Sequence, residues 1–181
     1  ELSVYRQRII VNAGTSGYEY NDNRIWQRST AAHSTIEINK ENSSEVWKSF
    51  RVGKRAVPFG VSISKNINTI LVNASHDGYK RLKGKNIHHR FWEWKENSLI
   101  IKDQVTGYYK QAIGRFLFHP MIKIIKKNEH KYLLKLPNNK TLTFQVISGI
   151  PKLAKSKYSS QFGKQDIIKM LQVHTVNDQI I

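Results

Sequence analysis

The chain has 181 residues and no cysteine, and this absence excludes several classes of site. Without thiols there is no disulfide framework, no cysteine nucleophile and no thiolate metal centre. Apolar runs are short, and none approaches the roughly 18 residues of a membrane-spanning helix. No signal peptide is visible and the chain begins with Glu1 rather than Met, so we interpret it as a piece of something longer.

Acidic residues are also scarce: 13 Asp and Glu stand against 30 Lys and Arg, a formal net charge of +17. Residues 1–50 hold six of each sign, so the whole excess, 24 against 7, lies in residues 51–181. A field of that sign attracts polyanions, and the candidates are nucleic acid, anionic lipid and acidic polysaccharide. The simpler alternative is a lysine-rich protein without a polyanionic partner.

Short strands separated by turn residues run along most of the chain, and we predict an all-β domain over residues 1–181. Its architecture would be a two-layer antiparallel β-sandwich. Residues 2–12 are predicted as one strand and residues 153–164 as a surface loop. The tail from residue 165 fits a helix or a strand, and its β-branched, alternating end favours a strand. Nowhere is there a helix with recognisable caps. The other predicted strands lie in "STIEI", "FGVSIS", "NTILVNAS", the hairpin "HHRFWEWKENSLIIKDQV", "IGRFLF", "MIKIIKK", "KYLLKLP" and "TLTFQVI".

The stretch "RSTAAHSTIEI", residues 28–38, carries the first candidate site residue, His33. Strand alternation would put His33, Thr35 and Glu37 on one face, opposite Ser34 and the two isoleucines. His33 is then either part of a site or a polar residue on a solvated sheet face. Asn12, Asp22 and His33 could converge only if the first strand pairs with this one.

A second candidate is the loop "HDGYKR", residues 76–81. Its His76, Tyr79, Lys80 and Arg81 could bind a carboxylate or hydroxyl groups, but the same composition suits a hydrated hairpin tip. No Ser–His–Asp order, paired carboxylates or HExxH motif is present. Residue types alone therefore indicate a basic all-β domain, with a polyanion as one candidate ligand.

Several segments together resemble a known family, the heparinase II/III-like polysaccharide lyases, in the C-terminal β-sheet half of those enzymes. The resemblance covers nearly the whole chain, from residue 1 to about residue 174. The segments that carry it are "ELSVYRQRIIVNAGTSGYEYNDNRIWQRSTAAHSTIEI", "NSSEVWKSFRVGKRA", "HDGYKRL", "HHR", "RFLFHP" and "SKYSSQFGK".

The resemblance implies an α/α-toroid upstream, absent from this chain, and cleavage of uronic-acid polysaccharides by β-elimination. In that chemistry a base removes the proton at C5, a tyrosine serves as acid or base, and the uronate carboxylate is neutralised. The toroid would supply the tyrosine and the asparagine that polarises the carboxylate. We therefore expect this chain alone to be inactive, and expect it to form one wall of the substrate cleft and contribute His33 as a catalytic residue.

Some members of the family hold a divalent metal in the β domain, and the resemblance carries two ligand positions onto this chain. The histidine ligand falls on His33. The aspartate ligand falls on Asn12, which is a departure because an amide is a poorer ligand than a carboxylate. Ser34 replaces the usual asparagine, and a third ligand would lie upstream of residue 1. The resemblance thus implies zinc or calcium as the metal of the intact parent, with an incomplete ligand set in this chain. We also predict that the first strand lies near the His33 strand, so that Asn12 and His33 come together.

Arginines complete the predicted substrate contacts, because the guanidinium fork suits carboxylate and sulfate groups. We assign this role to Arg24 and Arg28, together with Lys80 and Arg81 of the loop. Partners would be an acidic polysaccharide and the upstream toroid, in the periplasm or outside a bacterial cell. The alternatives are a non-catalytic carbohydrate-binding sandwich and, less favoured because no RNP-like or helix-turn-helix pattern occurs, a basic nucleic-acid-binding protein.

Overall fold

The computed structural model describes residues 1–175, and nearly all of their regular structure is antiparallel β-sheet. A helix α1 spans Asp22–Gln27, and a 3-10 turn spans Thr30–Ala32. The strands are β1 (Leu2–Val4), β2 (Gln7–Val11), β3 (Ile36–Ile38), β4 (Val46–Trp47), β5 (Arg51–Val52), β6 (Pro58–Lys65), β7 (Thr69–His76), β8 (Ile87–Lys95), β9 (Ser98–Thr106), β10 (Ala112–Phe118), β11 (Lys123–Lys126), β12 (Lys131–Lys135), β13 (Thr141–Gln145), β14 (Ile150–Tyr158) and β15 (Asp166–His174).

One layer is a six-stranded sheet in the order β1-β2-β10-β15-β14, with β3 pairing to the other end of β10. Every residue of β10 is buried. Both of its faces are covered, which explains why its sequence is a nearly continuous apolar run rather than an alternation. Successive side chains alternate, so Phe116 and Phe118 enter one core and Leu117 enters the other.

Two smaller sheets, β11-β12-β13 and β6-β7-β8-β9, form the second layer. The Phe144 ring of β13 packs edge-on against Phe116 and Phe118, with centroids 5.2 and 5.5 Å apart. Ile101 of β9 packs against the same core. The predicted two-layer antiparallel sandwich is confirmed, and so is the last strand, β15.

The opposite face of the six-stranded sheet is covered by loops and by α1. Leu117 and Met170 form a core there with Ala13 and Ala32, and Trp26 of α1 packs against it. This packing holds the residues around His33 on the sheet. The helix itself was not predicted from the sequence, although Asn21 caps it by accepting a hydrogen bond from the Arg24 amide at 2.8 Å.

Two strand predictions are wrong. The first predicted strand is the hairpin β1–β2, which turns at Tyr5 and Arg6 with φ of 52° and 61°. Such a turn favours glycine or asparagine, so this sequence conceals it. Half of the predicted loop 153–164, residues 153–158, belongs to β14, an edge strand whose exposed lysines at 152, 155 and 157 made it resemble a loop.

The strand alternation predicted around His33 is also wrong in part. The strand begins only at Ile36, and His33 lies before it, at the end of the 3-10 turn. Glu37 is buried, because its carboxylate pairs with Arg115 at 2.7 Å. A single domain over residues 1–181 stays a prediction, and residues 176–181 lie outside the described part of the chain.

Candidate functional site

The segments that end β2 and precede β3 are clasped together by hydrogen bonds. The Ala13 amide donates to the Ala32 carbonyl at 2.9 Å, and the Ser34 amide donates to Asn12 Oδ1 at 3.0 Å. Ser34 Oγ also donates to the Val11 carbonyl at 2.8 Å. The predicted proximity of Asn12 and His33 is therefore confirmed, while the roles of these two residues stay predictions.

The His33 ring is half-buried and its orientation is fixed by the turn before it. Nδ1 lies 2.8 Å from the Ser29 carbonyl oxygen. A carbonyl only accepts, so in the neutral ring Nδ1 carries the proton and Nε2 keeps its lone pair. Among residues 1–175 nothing bonds to Nε2. The ring can therefore accept a proton at Nε2 and, once charged, donate it to an anion.

His33 lines a groove of about 330 Å³ between the 3-10 turn and the β4–β5 hairpin. Two guanidinium groups, from Arg28 and Arg55, border it. The other seven lining residues have small side chains. Four of them carry hydroxyl groups, Thr30, Thr35, Ser43 and Ser44, and three are apolar, Val46, Val52 and Ala56. Cations and hydroxyls around one histidine suit a ligand that carries carboxylate and hydroxyl groups.

Arg28 is held in place by backbone oxygens rather than by acidic side chains. It donates to the carbonyls of Trp47, Lys48 and Arg51 at 2.8–3.1 Å, which tie α1 to the β4–β5 hairpin. Burial, and after it the neighbouring charges of Arg24 and Arg55, lower the pKa of Arg28. Within the described chain, no carboxylate forms an ion pair with Arg28 or Arg55, so their positive charge stays available to a ligand.

Arg24 lies one helical turn before Arg28 and does not line the groove. Its Nε donates to the Ser49 carbonyl at 3.2 Å, and its Nη1 to Thr15 Oγ1 at 3.4 Å. Of the two arginines predicted as substrate contacts, the structure therefore places Arg28 at the groove and Arg24 outside it.

The "HDGYKR" loop does not present its side chains to a ligand as predicted. Tyr79 is fully buried and donates from its hydroxyl to the Ile36 carbonyl at 2.7 Å, which does not fit contact with a substrate. Burial accordingly raises the pKa of Tyr79. His76 is largely buried in a hydrogen-bonded chain with His88. Lys80 is exposed and remains a candidate contact.

Arg81 shapes the groove instead of lining it. Its guanidinium donates to the carbonyls of Ser43, Gly78 and Asn42, the last at 2.5 Å, and lies 3.3 Å from Glu45. Glu45 and Glu41 also neutralise its charge, whereas Arg28 has no such carboxylate beside it in the described residues, so Arg81 fits a structural role better than the predicted substrate contact. It positions Ser43, which lines the groove.

The residues present do not fit a bound zinc or calcium ion. Asn12 Oδ1 already accepts the Ser34 amide, which leaves His33 Nε2 as the single strong donor of the pair. Over residues 1–175 no group of three or more His, Cys, Asp or Glu side chains is placed to hold a metal. Zinc needs three or four such ligands, and calcium takes about six to eight oxygen ligands.

Sequence reasoning did not single out two parts of the site. Arg55 belongs to "NSSEVWKSFRVGKRA", a segment noticed for its resemblance, yet nothing in its spacing places the arginine beside His33. Arg90 was also missed: it donates from Nη1 to the Ser34 carbonyl at 2.9 Å and so anchors the residue after His33. The same Arg90 pairs with buried Asp103 through two hydrogen bonds of 2.6 and 2.9 Å.

Comparison with known families gives a match over residues 1–179 to the family described as heparinase II/III-like, C-terminal. The chain belongs to this family. No curated protein matches the sequence. No helix in the described residues is long and apolar enough to cross a membrane.

Two similar solved structures confirm the fold of this heparinase II/III-like domain. Heparan sulfate lyase HepC from Pedobacter heparinus is 14% identical with a TM-score of 0.75, over 96% of this chain and 27% of that one. A heparinase III gene product is 16% identical with a TM-score of 0.73, over 95% and 26%. The chain thus spans about a quarter of each of those proteins.

Proposed function

We propose that this chain is the C-terminal β domain of a bacterial, periplasmic or secreted lyase. The lyase would cleave a uronic-acid-containing polysaccharide by β-elimination. The domain forms one wall of the substrate cleft, facing an upstream α/α-toroid, and contributes His33. The observation that supports this proposal is the His33 groove, which a histidine with an available Nε2 lines together with two arginines that no carboxylate of the described chain neutralises.

The chemistry of β-elimination fits that arrangement. A base takes the proton from C5, the C5 electron pair forms the C4–C5 double bond, and the C4–O bond breaks as its oxygen receives a proton. Charge builds up on the uronate carboxylate, and fixed cations beside it lower the barrier. His33 Nε2 can exchange the proton, while Arg28 and Arg55 hold the carboxylates or sulfates of the chain.

The family relationship supports an acidic polysaccharide as the partner, since both similar structures carry heparinase or heparan sulfate lyase names. The formal charge of +17 supports the same class of ligand. No step of the proposed reaction runs through a metal, because the residues around His33 do not fit one.

The test is a lyase assay on the parent protein that includes the upstream helical region. A panel of uronate polymers is incubated with wild type and with His33→Ala, and the absorbance of the unsaturated product is followed. Loss of a proton-transfer group should lower kcat by about 10²- to 10⁴-fold. The matched control is His130→Ala, an exposed histidine outside the groove, which should retain full activity.

Equal activity of wild type and a folded His33→Ala variant would remove His33 from the mechanism. Absence of product from every polymer would refute the lyase. If wild type then still bound the polymers, the domain would instead be a carbohydrate-binding module.

A further inference from the structure

Three aromatic rings from three separate segments meet on the surface of the protein. They belong to Tyr18 in the loop before α1, Phe50 in the β4–β5 hairpin and Phe162 in the loop after β14. The Tyr18 ring lies 5.6 Å from Phe50 and 4.9 Å from Phe162, centroid to centroid. These residues nevertheless remain 54%, 65% and 58% exposed. We call Tyr18, Phe50 and Phe162 the aromatic platform.

The segments that carry the platform are joined by their backbones, so its shape does not depend on the rings alone. The Gly163 amide donates to the Ser16 carbonyl at 2.8 Å, and Gly14 forms a bridge with Ser159. Arg24 ties in the third segment through the Ser49 carbonyl. A surface that is ordered before binding loses less entropy when a ligand arrives.

A cation lies over the platform. The Arg24 guanidinium carbon is 5.3 Å from the centre of the Tyr18 ring and 5.8 Å from that of Phe50. No acidic side chain of residues 1–175 forms an ion pair with Arg24. Exposed rings beside an unneutralised guanidinium suit a ligand with apolar ring faces and negative substituents, as an acidic sugar has.

The platform is continuous with the His33 groove through two elements. Arg24 lies in α1, and Arg28, four residues later, follows the last residue of the helix and borders the groove. Four residues correspond to about 6 Å along a helix. The β4–β5 hairpin makes the second link, because Val46 and Val52 line the groove and Phe50 lies at its turn. A polymer bound in the groove thus has a path that leads onto the platform.

We propose that the aromatic platform is a sugar-stacking subsite. It holds a ring of the same acidic polysaccharide beyond the one bound beside His33, with Arg24 contacting the carboxylate or sulfate. The proposal rests on the proposed function for the class of ligand. It adds that recognition extends past the groove, so that affinity depends on the length of the oligosaccharide.

The first experiment measures binding of defined uronate oligosaccharides, from disaccharide to octasaccharide, to the 181-residue chain at fixed salt. Phe50→Ala and Phe162→Ala should each weaken binding of the longer oligosaccharides by about 3- to 10-fold and leave the disaccharide unchanged. Tyr18→Phe keeps the ring and should bind like wild type, whereas Tyr18→Ala should not. Circular dichroism and the Tm verify that each variant is folded.

The matched control is Tyr5→Ala. Tyr5 is 51% exposed and has a cation 4.0 Å from its ring centre, Nζ of Lys140, but it lies in the β1–β2 turn. Its removal should not change binding. If the platform variants bind every length like wild type, or if Tyr5→Ala loses as much affinity, the subsite does not exist.

A second readout separates this proposal from the lyase itself. In the parent protein the platform variants should raise KM for long substrates with kcat unchanged. If the platform variants cleave long substrates with unchanged KM, the subsite is refuted and the lyase proposal stands. If binding depends on the platform but the parent protein cleaves no polymer, the lyase proposal is refuted and the subsite stands. If removal of a platform ring weakens binding of single-stranded DNA more than binding of an oligosaccharide of equal charge, sugar is refuted as the ligand. A parent protein destabilised by the variants, with unchanged KM, would show that the rings pack against another domain instead.

Discussion

Replacing His76 by glutamine should make the stability of this protein less sensitive to acid. The Gly78 amide donates to His76 Nδ1 at 3.2 Å, so the ring proton resides on Nε2 and is donated to His88 Nδ1 at 3.0 Å. His88 Nε2 donates in turn to Asp103 Oδ1 at 2.6 Å. Each ring has one accepting nitrogen in this chain. A further proton on His76 would face the Gly78 N–H and break that bond.

Burial is the main reason that the pKa of His76 falls from 6.5 to about 4. The positive charge of Arg90 adds to this effect, while the negative charges of Asp77 and Asp103 oppose it. In the unfolded chain the histidine takes up its proton near pH 6.5, before the folded protein does. The contribution of neutral His76 to the free energy of unfolding is therefore complete above about pH 6.5 and is lost as the pH falls towards 4.

The magnitude follows from the shift of the pKa. At 1.36 kcal/mol per pKa unit, acidification from pH 7.5 to 4.5 would cost at most about 2.5 kcal/mol through His76. The ring keeps partial access to water, so we expect about 1–2 kcal/mol. Glutamine does not titrate and can still donate to His88. It should lower the free energy of unfolding by about 1 kcal/mol at pH 7.5 and remove most of the acid-dependent loss.

Urea unfolding followed by tryptophan fluorescence at pH 7.5, 6.0, 5.0 and 4.5, at constant ionic strength, measures the difference. His130→Gln serves as the control, because it removes an exposed histidine and leaves the hydrogen-bonded chain intact. It should follow wild type at every pH. The reasoning fails if His76→Gln and wild type lose the same free energy between pH 7.5 and 4.5.

Two further substitutions test other parts of the fold by the same unfolding measurement. Asp103→Asn leaves the Arg90 guanidinium without its charge partner and should cost about 3–5 kcal/mol, so a loss below 1 kcal/mol would contradict the importance of this pair. Gly14→Ala should cost about 1–3 kcal/mol, because φ is +72° and the added Cβ would lie 2.1 Å from the Ser159 carbonyl oxygen. Gly17→Ala, which meets only open space, should cost less than about 0.5 kcal/mol.

The alternation of apolar residues was enough to predict most of the sandwich. The strand β9 of the hairpin follows from a period of two, because its burial alternates along the strand. The strand β15 was predicted from its β-branched, alternating end, and both of its faces are packed, with Ile168 and Met170 in one core and Leu171 and Val173 in the other. The proximity of Asn12 and His33 was also predicted, from the family resemblance and from the expectation that their two strands are neighbours. The local sequence pattern predicts these strands because the hydrophobic effect favours burial of the apolar side chains of each strand.

Only the tertiary structure decided which polar residues face a ligand. Tyr79, His76 and Arg81 form a loop that is indistinguishable in sequence from a binding loop, yet each finds its partners inside the protein. Arg55 lies 22 residues beyond His33 along the chain and reaches the groove because α1 and the β4–β5 hairpin hold its walls together. Composition supplies charges and hydroxyls, but whether they meet water or a buried partner depends on contacts between distant segments, which no local pattern encodes.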